Sequence, residues 1–184
     1  MRLFSCLGAA PRPGGAGTSS AARVERADAS GGDILSKKKP GAGADAAEAL
    51  LAALAGAWRL RREIDDRRAG TAGCFEGVAT FVPVGAGLAY SEAGELHLAG
   101  QTPMRAERRY LWRVGAGRVG VLFGDGRTFH DFDPSEARPG AVHDCPPDVY
   151  RVAYDFSAWP RWNAVWEVRG PRKDYRMVSR YEPA

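Results

Sequence analysis

Apolar and polar residues alternate along most of the chain after residue 57. In the segment AWRLRREI, every second position belongs to one set: Trp58, Leu60, Arg62 and Ile64. A period of two places such residues on one face of a β-strand. The pattern predicts a mainly all-β fold with strands over 57–66, 73–83, 87–96, 104–114, 118–124, 127–133, 149–157, 161–169 and 172–181.

The segments between these strands are short and rich in turn-forming residues. GAG at 115–117 and GDGR at 124–127 are hairpin signals, and GP at 170–171 separates the last two strands. Short connections require antiparallel neighbours, because a parallel pair needs a crossover of about a dozen residues or more. Consecutive pairing favours a single up-and-down barrel over a sandwich, since closure removes exposed edges. A barrel of about 8–10 strands has room for a small ligand.

One helix precedes the strands. In ADAAEALLAALAG, Leu50, Leu51 and Leu54 lie on one side of an Ala-rich segment that begins near Asp45 and stops at Gly56. An acidic start and a glycine stop are typical of a short amphipathic helix.

Residues 1–43 are rich in Gly, Ala, Ser and Pro and end in a lysine run. This composition predicts a disordered basic extension, with the barrel domain over 44–184. The first 24 residues contain arginine and no acidic residue, which is also typical of an organelle transit peptide. Both interpretations remain open.

Charge and cysteine content narrow the function classes. The net charge is +4, and residues 1–43 carry all of it, because the remainder has 19 basic and 19 acidic residues. A domain without net charge lacks the electrostatic attraction that nucleic-acid binding requires, so we expect no nucleic-acid partner. No run approaches the roughly 20 apolar residues of a membrane span. Three widely spaced cysteines without a CxxC pair suggest a reducing, cytoplasmic compartment.

The chain resembles the calycin superfamily where the helix meets the first strand. Gly56-Ala57-Trp58 is similar to the G-x-W start of lipocalins and fatty-acid-binding proteins. In those proteins the Trp packs against a basic side chain from a late strand. The resemblance implies such a partner for Trp58, with Lys173, Arg176 and Arg180 as candidates.

Five further segments resemble a family of small calycin-like bacterial proteins, domain of unknown function family 6314. They are YSEAGEL, RAERRYLWRV, VLFGDGRTFHDFD, HDCPPDVYRVAYDF and GPRKDYRMVSRY, and the resemblance covers about residues 50–182. It implies a calycin-like barrel but supplies no reaction. Haem-binding nitrobindin-type calycins use a late axial histidine, whereas this sequence has no histidine after His143, so we expect no haem.

Two charged residues fall on apolar strand faces. Alternation places Arg108 with Tyr110 and Trp112, and Glu92 with Tyr90. A buried charge is costly unless it is paired. We therefore expect Glu92 and Arg108 to meet, either as a structural salt bridge or as the polar end of a ligand site.

Aromatic residues share the same faces. Trp162 and Trp166 lie together, as do Tyr150, Tyr154 and Phe156. Rings with hydroxyl or indole groups suit a planar or amphipathic ligand, although core packing explains each ring individually. Lys173 is the single lysine of residues 44–184, beside 18 arginines. It is either a solvated or Trp-capping lysine or a reactive amine.

The stretch GRTFHDFDPSEARPGAVHDCPPDVY, residues 126–150, contains two His-Asp pairs and a cysteine. Adjacent His130 and Asp131 point to opposite faces of a strand, which leaves too few ligands for zinc. Which of the two faces the barrel interior depends on a register of one residue, which alternation leaves open. We interpret the stretch as a hairpin and a loop at one mouth of the barrel, with His130, Cys145, Asp148 and Tyr150 as the residues to test.

Together these patterns favour a barrel that binds a small aromatic or carboxylated molecule, without a metal or cofactor and without nucleic-acid or membrane partners. One alternative is a cofactor-free lyase, isomerase or hydrolase that uses Glu92, His130 or Tyr150 as acid or base. Another is a non-catalytic interaction domain with a filled barrel. The candidate ligand-binding residues are Tyr90, Glu92, Arg108, Tyr110, Trp112, Phe123, His130, Tyr150, Trp166 and Lys173.

Overall fold

A computed structural model describes residues 46–184 as one helix followed by ten strands. The predicted extension over residues 1–43 lies outside the described residues. The elements are α1 (Ala46–Leu54), β1 (Gly56–Asp66), β2 (Thr71–Val84), β3 (Gly87–Leu98), β4 (Met104–Gly115), β5 (Arg118–Phe123), β6 (Thr128–Phe132), β7 (Gly140–Cys145), β8 (Asp148–Asp155), β9 (Trp162–Gly170) and β10 (Lys173–Pro183).

The strands form a single antiparallel sheet in the order β6-β5-β4-β3-β2-β1-β10-β9-β8-β7. Strands that follow one another along the chain are paired, except β6 and β7, and β1 also pairs with β10. The two edge strands, β6 and β7, lie next to each other without a ladder between them. The sheet is therefore a nearly closed up-and-down barrel, which confirms the predicted fold class. No helix among residues 46–184 has the length and hydropathy needed to cross a membrane.

Strand β7 falls where the sequence analysis placed a loop. The prolines of this segment favoured a loop over a strand. The structure puts Pro134 and Pro139 before β7, and Pro146 and Pro147 in the turn that joins it to β8. None of them occupies a position inside the ladder, so none removes a ladder hydrogen bond.

Buried and exposed side chains alternate along most strands, but not along β6. On β1 the residues from Trp58 to Ile64 alternate between buried and exposed, as predicted. On β6 the consecutive residues Phe129 and His130 are both buried. The pairing of β5 with β6 shifts register after Val121, and such an irregularity turns neighbouring side chains to the same face.

The helix packs onto the start of β1 through Trp58. Leu50, Leu51 and Leu54 are buried, as the helical pattern predicted. The indole Nε1 of Trp58 donates a hydrogen bond to the Leu54 carbonyl at 2.7 Å. Its ring is fully buried and contacts Trp159 edge-on.

The basic residues expected on Trp58 have their charges engaged elsewhere. Each candidate forms an ion pair with an acidic residue: Lys173 with Asp148, Arg176 with Glu167, and Arg180 with Glu63. The indole of Trp58 itself contacts the rings of Trp159 and Trp162 and donates to the Leu54 carbonyl, and a basic partner for it stays a prediction.

Two glycines allow β2 and β3 to approach closely. Gly77 pairs with Gly94 across the ladder. A Cβ atom on Gly77 would lie 2.3 Å from the Ala93 carbonyl oxygen, and one on Gly94 would lie 2.2 Å from that of Glu76. Both distances are far below van der Waals contact and involve backbone atoms, so neither position accepts a side chain without movement of the sheet.

Replacing Gly77 by alanine is expected to lower the free energy of unfolding by about 1–3 kcal/mol, because the added methyl overpacks the ladder. Urea unfolding followed by tryptophan fluorescence measures this loss. Gly124→Ala is the control, since a Cβ there meets no atom within 4 Å, and it should change the stability by less than about 0.5 kcal/mol. Equal stability of the two variants would contradict the argument.

Candidate functional site

A cavity lies inside the barrel, and its wall carries most of the residues singled out from the sequence. All the candidate ligand-binding residues except Phe123 and Lys173 line it. The space open to the centre of a water molecule is about 40 Å³. One water needs about 10–15 Å³ by this measure, so in this conformation the cavity holds a few waters at most.

A buried ion-pair cluster forms one part of the wall. The guanidinium of Arg62 forms a bidentate ion pair with the carboxylate of Glu92. Its Nη1 donates to Oε1 at 2.6 Å, and its Nη2 donates to Oε2 at 2.7 Å. The Nε of Arg108 lies 3.5 Å from Oε1 of Glu92. Arg108 and Glu92 therefore meet as predicted, but Arg62 makes the closer contact.

Arg62 is a site residue that was not predicted from the sequence. The signal was present, because Arg62 shares the apolar face of AWRLRREI with Trp58 and Ile64. Its side chain is buried, with a relative exposure of only 6%.

Hydroxyl groups complete the hydrogen bonding of this cluster. Tyr90 donates to Oε2 of Glu92 at 2.5 Å, and its oxygen lies 3.2 Å from that of Tyr181. Nε of Arg62 donates to Oγ of Ser179 at 2.7 Å. Because the lone pairs and donors are satisfied, the charges are held in fixed positions.

The cluster keeps both charges ionised. Burial by itself would raise the pKa of Glu92, but Arg62 lowers it more, to about 2. Burial by itself would lower the pKa of Arg62, and Glu92 more than offsets this, so that pKa is raised. A carboxylate with so low a pKa does not act as a general base near neutral pH.

Removal of Arg62 should be far more damaging than removal of its exposed neighbour. Arg62→Met leaves the Glu92 charge buried without its main partner, and the expected loss is about 3–5 kcal/mol of unfolding free energy. Arg62→Met combined with Glu92→Gln should recover part of that loss, because the most deeply buried charge, the Glu92 carboxylate, is then absent, while Arg108 is partly exposed to solvent. Urea unfolding of the two variants measures both effects.

Arg61→Met is the matched control, because Arg61 pairs with Glu76 at 3.0 Å on the exposed face of the same strand. Its loss should be less than about 1 kcal/mol. Similar losses for Arg61→Met and Arg62→Met would show that the buried pair is no stronger than a surface pair.

His130 faces the barrel interior, which alternation alone left undecided. Its Nε2 lies 2.9 Å from the hydroxyl of Tyr154. Asp131 points outward to Arg118, so the predicted separation of the two side chains is confirmed. Burial, with a smaller contribution from the charge of His143, lowers the pKa of His130 to about 3. The imidazole is therefore neutral at physiological pH.

Several buried polar atoms in the cavity wall have no partner. Within residues 46–184, the buried side-chain atoms that lack a hydrogen bond are Nε1 of Trp112, Nδ1 of His130, Nε1 of Trp162 and Oδ1 of Asp174. The first three belong to residues that line the cavity. Such atoms are rare in folded proteins, and each calls for an explanation.

Lys173 belongs to a separate cluster that touches the cavity through Tyr150. Its Nζ lies 2.7 Å from Oδ2 of Asp148 and donates to the hydroxyl of Tyr150 at 2.6 Å. Burial would lower the pKa of Lys173, but the hydrogen bonds to Asp148 and Tyr150 raise it more. The side chain is an ammonium ion, which argues against the reactive-amine interpretation.

The remaining candidates lie around the wall rather than in it. Phe123 packs behind the wall, with its ring 4.8 Å from that of Phe129. Cys145 and Asp148 flank the turn between β7 and β8, at the barrel end. His143 is half-buried, and its ring centroid lies 4.9 Å from that of Phe129.

Among residues 46–184, no three His, Cys, Asp or Glu side chains are grouped as ligands for a metal ion.

The neutral state of His130 makes stability depend on pH. The unfolded chain takes up a proton at this residue below its ordinary pKa of 6.5, whereas the folded protein does not until about pH 3. Stability should therefore fall as the pH falls from 6.5, by at most about 1.4 kcal/mol per pH unit. Urea unfolding at pH 7, 6 and 5 measures this slope.

His130→Gln should flatten that slope between pH 6.5 and 5. His97→Gln is the matched control, because the side chain of His97 is 43% exposed and does not line the cavity. An unaltered slope in His130→Gln would contradict the assignment of a neutral buried imidazole.

Fold and site together define the class of this protein as a nearly closed antiparallel β-barrel whose interior combines aromatic rings with a buried ion-pair cluster. The chain belongs to a family of unknown function (DUF6314), which it matches over residues 54–183. Among curated proteins, none matches it in sequence.

The fold is similar to that of a protein whose structure has been solved. The S-type phycobiliprotein lyase CPES from Guillardia theta superposes with a TM-score of 0.56 at 8% sequence identity. The match covers 74% of this chain and 92% of the lyase chain. At this identity the similarity establishes the fold and nothing about the chemistry.

Proposed function

We propose that this protein is a calycin-like carrier or receptor that holds a small aromatic, carboxylated molecule in the barrel interior. The observation that carries the proposal is the charged cluster in the cavity wall, where two guanidinium groups face one carboxylate. The wall therefore has a positive formal charge that complements a carboxylate ligand.

A purely structural explanation of these charges is weaker. Well-packed apolar residues in place of a buried ion pair are often as stable or more so, so a barrel that served stability alone gains little from Arg62, Glu92 and Arg108. The aromatic side chains around them, such as Tyr110 and Trp166, suit a planar ligand.

The cavity must widen to admit such a ligand, because its volume of about 40 Å³ is well below the roughly 300–1,000 Å³ of typical ligand pockets. Phe129 stacks between Tyr110 and Trp166, with ring centroids 5.7 and 5.2 Å away. It lies on β6, whose outer edge makes no ladder with β7. Rotation of these rings opens space without breaking the sheet, and side-chain changes of this kind are common on binding.

The fold shared with a phycobiliprotein lyase is consistent with a ligand in the barrel, by analogy only. The acid-base alternative is less well supported, since the low pKa values of Glu92 and His130 suit neither residue to proton transfer near neutral pH. A filled, non-catalytic barrel is the second candidate, and the small cavity volume favours it.

Paired aromatic probes test the proposal. Benzoate, cinnamate and 1-naphthoate are titrated by calorimetry and tryptophan fluorescence beside benzyl alcohol, cinnamyl alcohol and 1-naphthalenemethanol. We expect at least one carboxylate to bind about tenfold or more tightly than its alcohol, because a charge-assisted hydrogen bond contributes about 1.5–3 kcal/mol. Arg108→Met should abolish that preference.

Arg109→Met is the control, because Arg109 lies on the exposed face of the same strand with 75% of its side chain accessible. It should preserve the preference for the carboxylate. Absence of binding by every probe, together with no small molecule carried by the purified protein in native mass spectrometry, would reject the proposal and support the filled barrel.

A further inference from the structure

The cavity wall has a second polar region, distinct from the ion-pair cluster, where buried nitrogen atoms lack partners. Nε1 of Trp112, Nδ1 of His130 and Nε1 of Trp162 make no hydrogen bond within residues 46–184. Their residues are only 4%, 4% and 1% exposed, so bulk water does not satisfy them. The ion-pair cluster, by contrast, has its hydrogen bonds formed.

The three residues are neighbours in the fold. Val121 on β5 pairs with Trp112 on one side and with His130 on the other. The ring of Tyr154 contacts all of them, at centroid distances of 5.9 Å to Trp112, 6.0 Å to His130 and 6.4 Å to Trp162. They therefore surround a single tyrosine on one side of the cavity.

The available atoms act as donors. An indole nitrogen can only donate a hydrogen bond. Burial raises the pKa of Tyr154 well above its usual value, so its phenol keeps its proton and can donate it to Nε2 of His130. In that arrangement the imidazole carries its own hydrogen on Nδ1, which becomes a third N–H donor.

We propose that Trp112, His130 and Trp162 form an acceptor-binding subsite that receives a carbonyl oxygen of the ligand. The subsite is uncharged and rich in donors, which favours a neutral oxygen acceptor and disfavours an amine or ammonium group. The inference rests on the proposed function, and it narrows the ligand to a conjugated aromatic molecule that carries both a carboxylate and a carbonyl group.

The positions of the two polar regions fit such a ligand. Trp112 and Arg108 lie on the same inward face of β4, separated by roughly 13 Å along the strand. A ligand whose carboxylate contacts Arg108 can extend along the strand and reach the indole of Trp112 with a second polar group. The aromatic ring of Tyr110, between them in sequence, also lines the cavity.

A matched pair of probes tests the subsite. 4-Acetylcinnamate presents a carbonyl oxygen, and 4-isopropenylcinnamate has nearly the same shape but replaces that oxygen with a CH₂ group. We expect the acetyl compound to bind at least about tenfold more tightly, which is the effect of one well-made hydrogen bond to a buried donor. In ¹⁵N-labelled protein, the indole N–H signals of Trp112 and Trp162 should shift with the acetyl compound and much less with its partner.

A substitution of Trp112 tests the subsite independently of the ion-pair cluster. Trp112→Phe removes the N–H and keeps an aromatic ring, so it should abolish the preference for acetyl over isopropenyl and retain that for cinnamate over cinnamyl alcohol. Trp159→Phe is the control, because Trp159 packs on Trp58 outside the cavity wall, and it should retain both preferences. If Trp112→Phe does not fold, the indole signals of the wild-type protein decide.

The outcomes distinguish the two proposals. Equal affinity for the two cinnamates, with the carboxylate preference intact, would show that trapped water satisfies these nitrogen atoms, and would reject the subsite while leaving the proposed function in place. Failure of both cinnamates and of every simpler carboxylate to bind would reject both proposals.

Discussion

The contact between Arg62 and Glu92 is the interaction on which the interior of this barrel depends. Arg62 lies on β1 and Glu92 on β3, so the pair reaches across the intervening strand β2. Arg62 is opposite Phe75 and Glu92 is opposite Ala79, and the inward position between those two residues is Gly77. Gly77 has no side chain at this inward position, and a Cβ there would lie 2.3 Å from the Ala93 carbonyl oxygen.

This geometry explains which features could be predicted from sequence. Alternation depends only on local strand geometry, and it correctly assigned inward positions to Glu92, Arg108 and Trp112. The same rule predicted that Glu92 and Arg108 meet, since both point inward from neighbouring strands. In the structure they are direct partners across β3 and β4. It could not identify Arg62 as the closest partner of Glu92, since that contact skips a strand and depends on the curvature of the sheet.

Sequence patterns within a single strand did not predict strand β7 or the orientation of His130. Strand β7 was interpreted as a loop because its segment contains prolines, yet those prolines lie outside its ladder. The orientation of His130 stayed undecided because the register shift after Val121 turns Phe129 and His130 inward together, against a strict period of two. Both features depend on how two strands pair, which a single strand's pattern does not encode.

Burial then determines what chemistry this interior can perform. It leaves His130 neutral, and together with Arg62 it leaves Glu92 ionised, so the groups best placed for acid-base chemistry are held in one protonation state. Fixed charges and unpartnered N–H groups within residues 46–184 suit the ligand binding that we propose better than proton transfer. The ring of Phe129, on β6, lines the cavity and contacts the ring of His143 on β7. Within residues 46–184, every other pair of neighbouring strands is joined by a ladder, so enlargement at this seam breaks ring contacts instead of backbone hydrogen bonds.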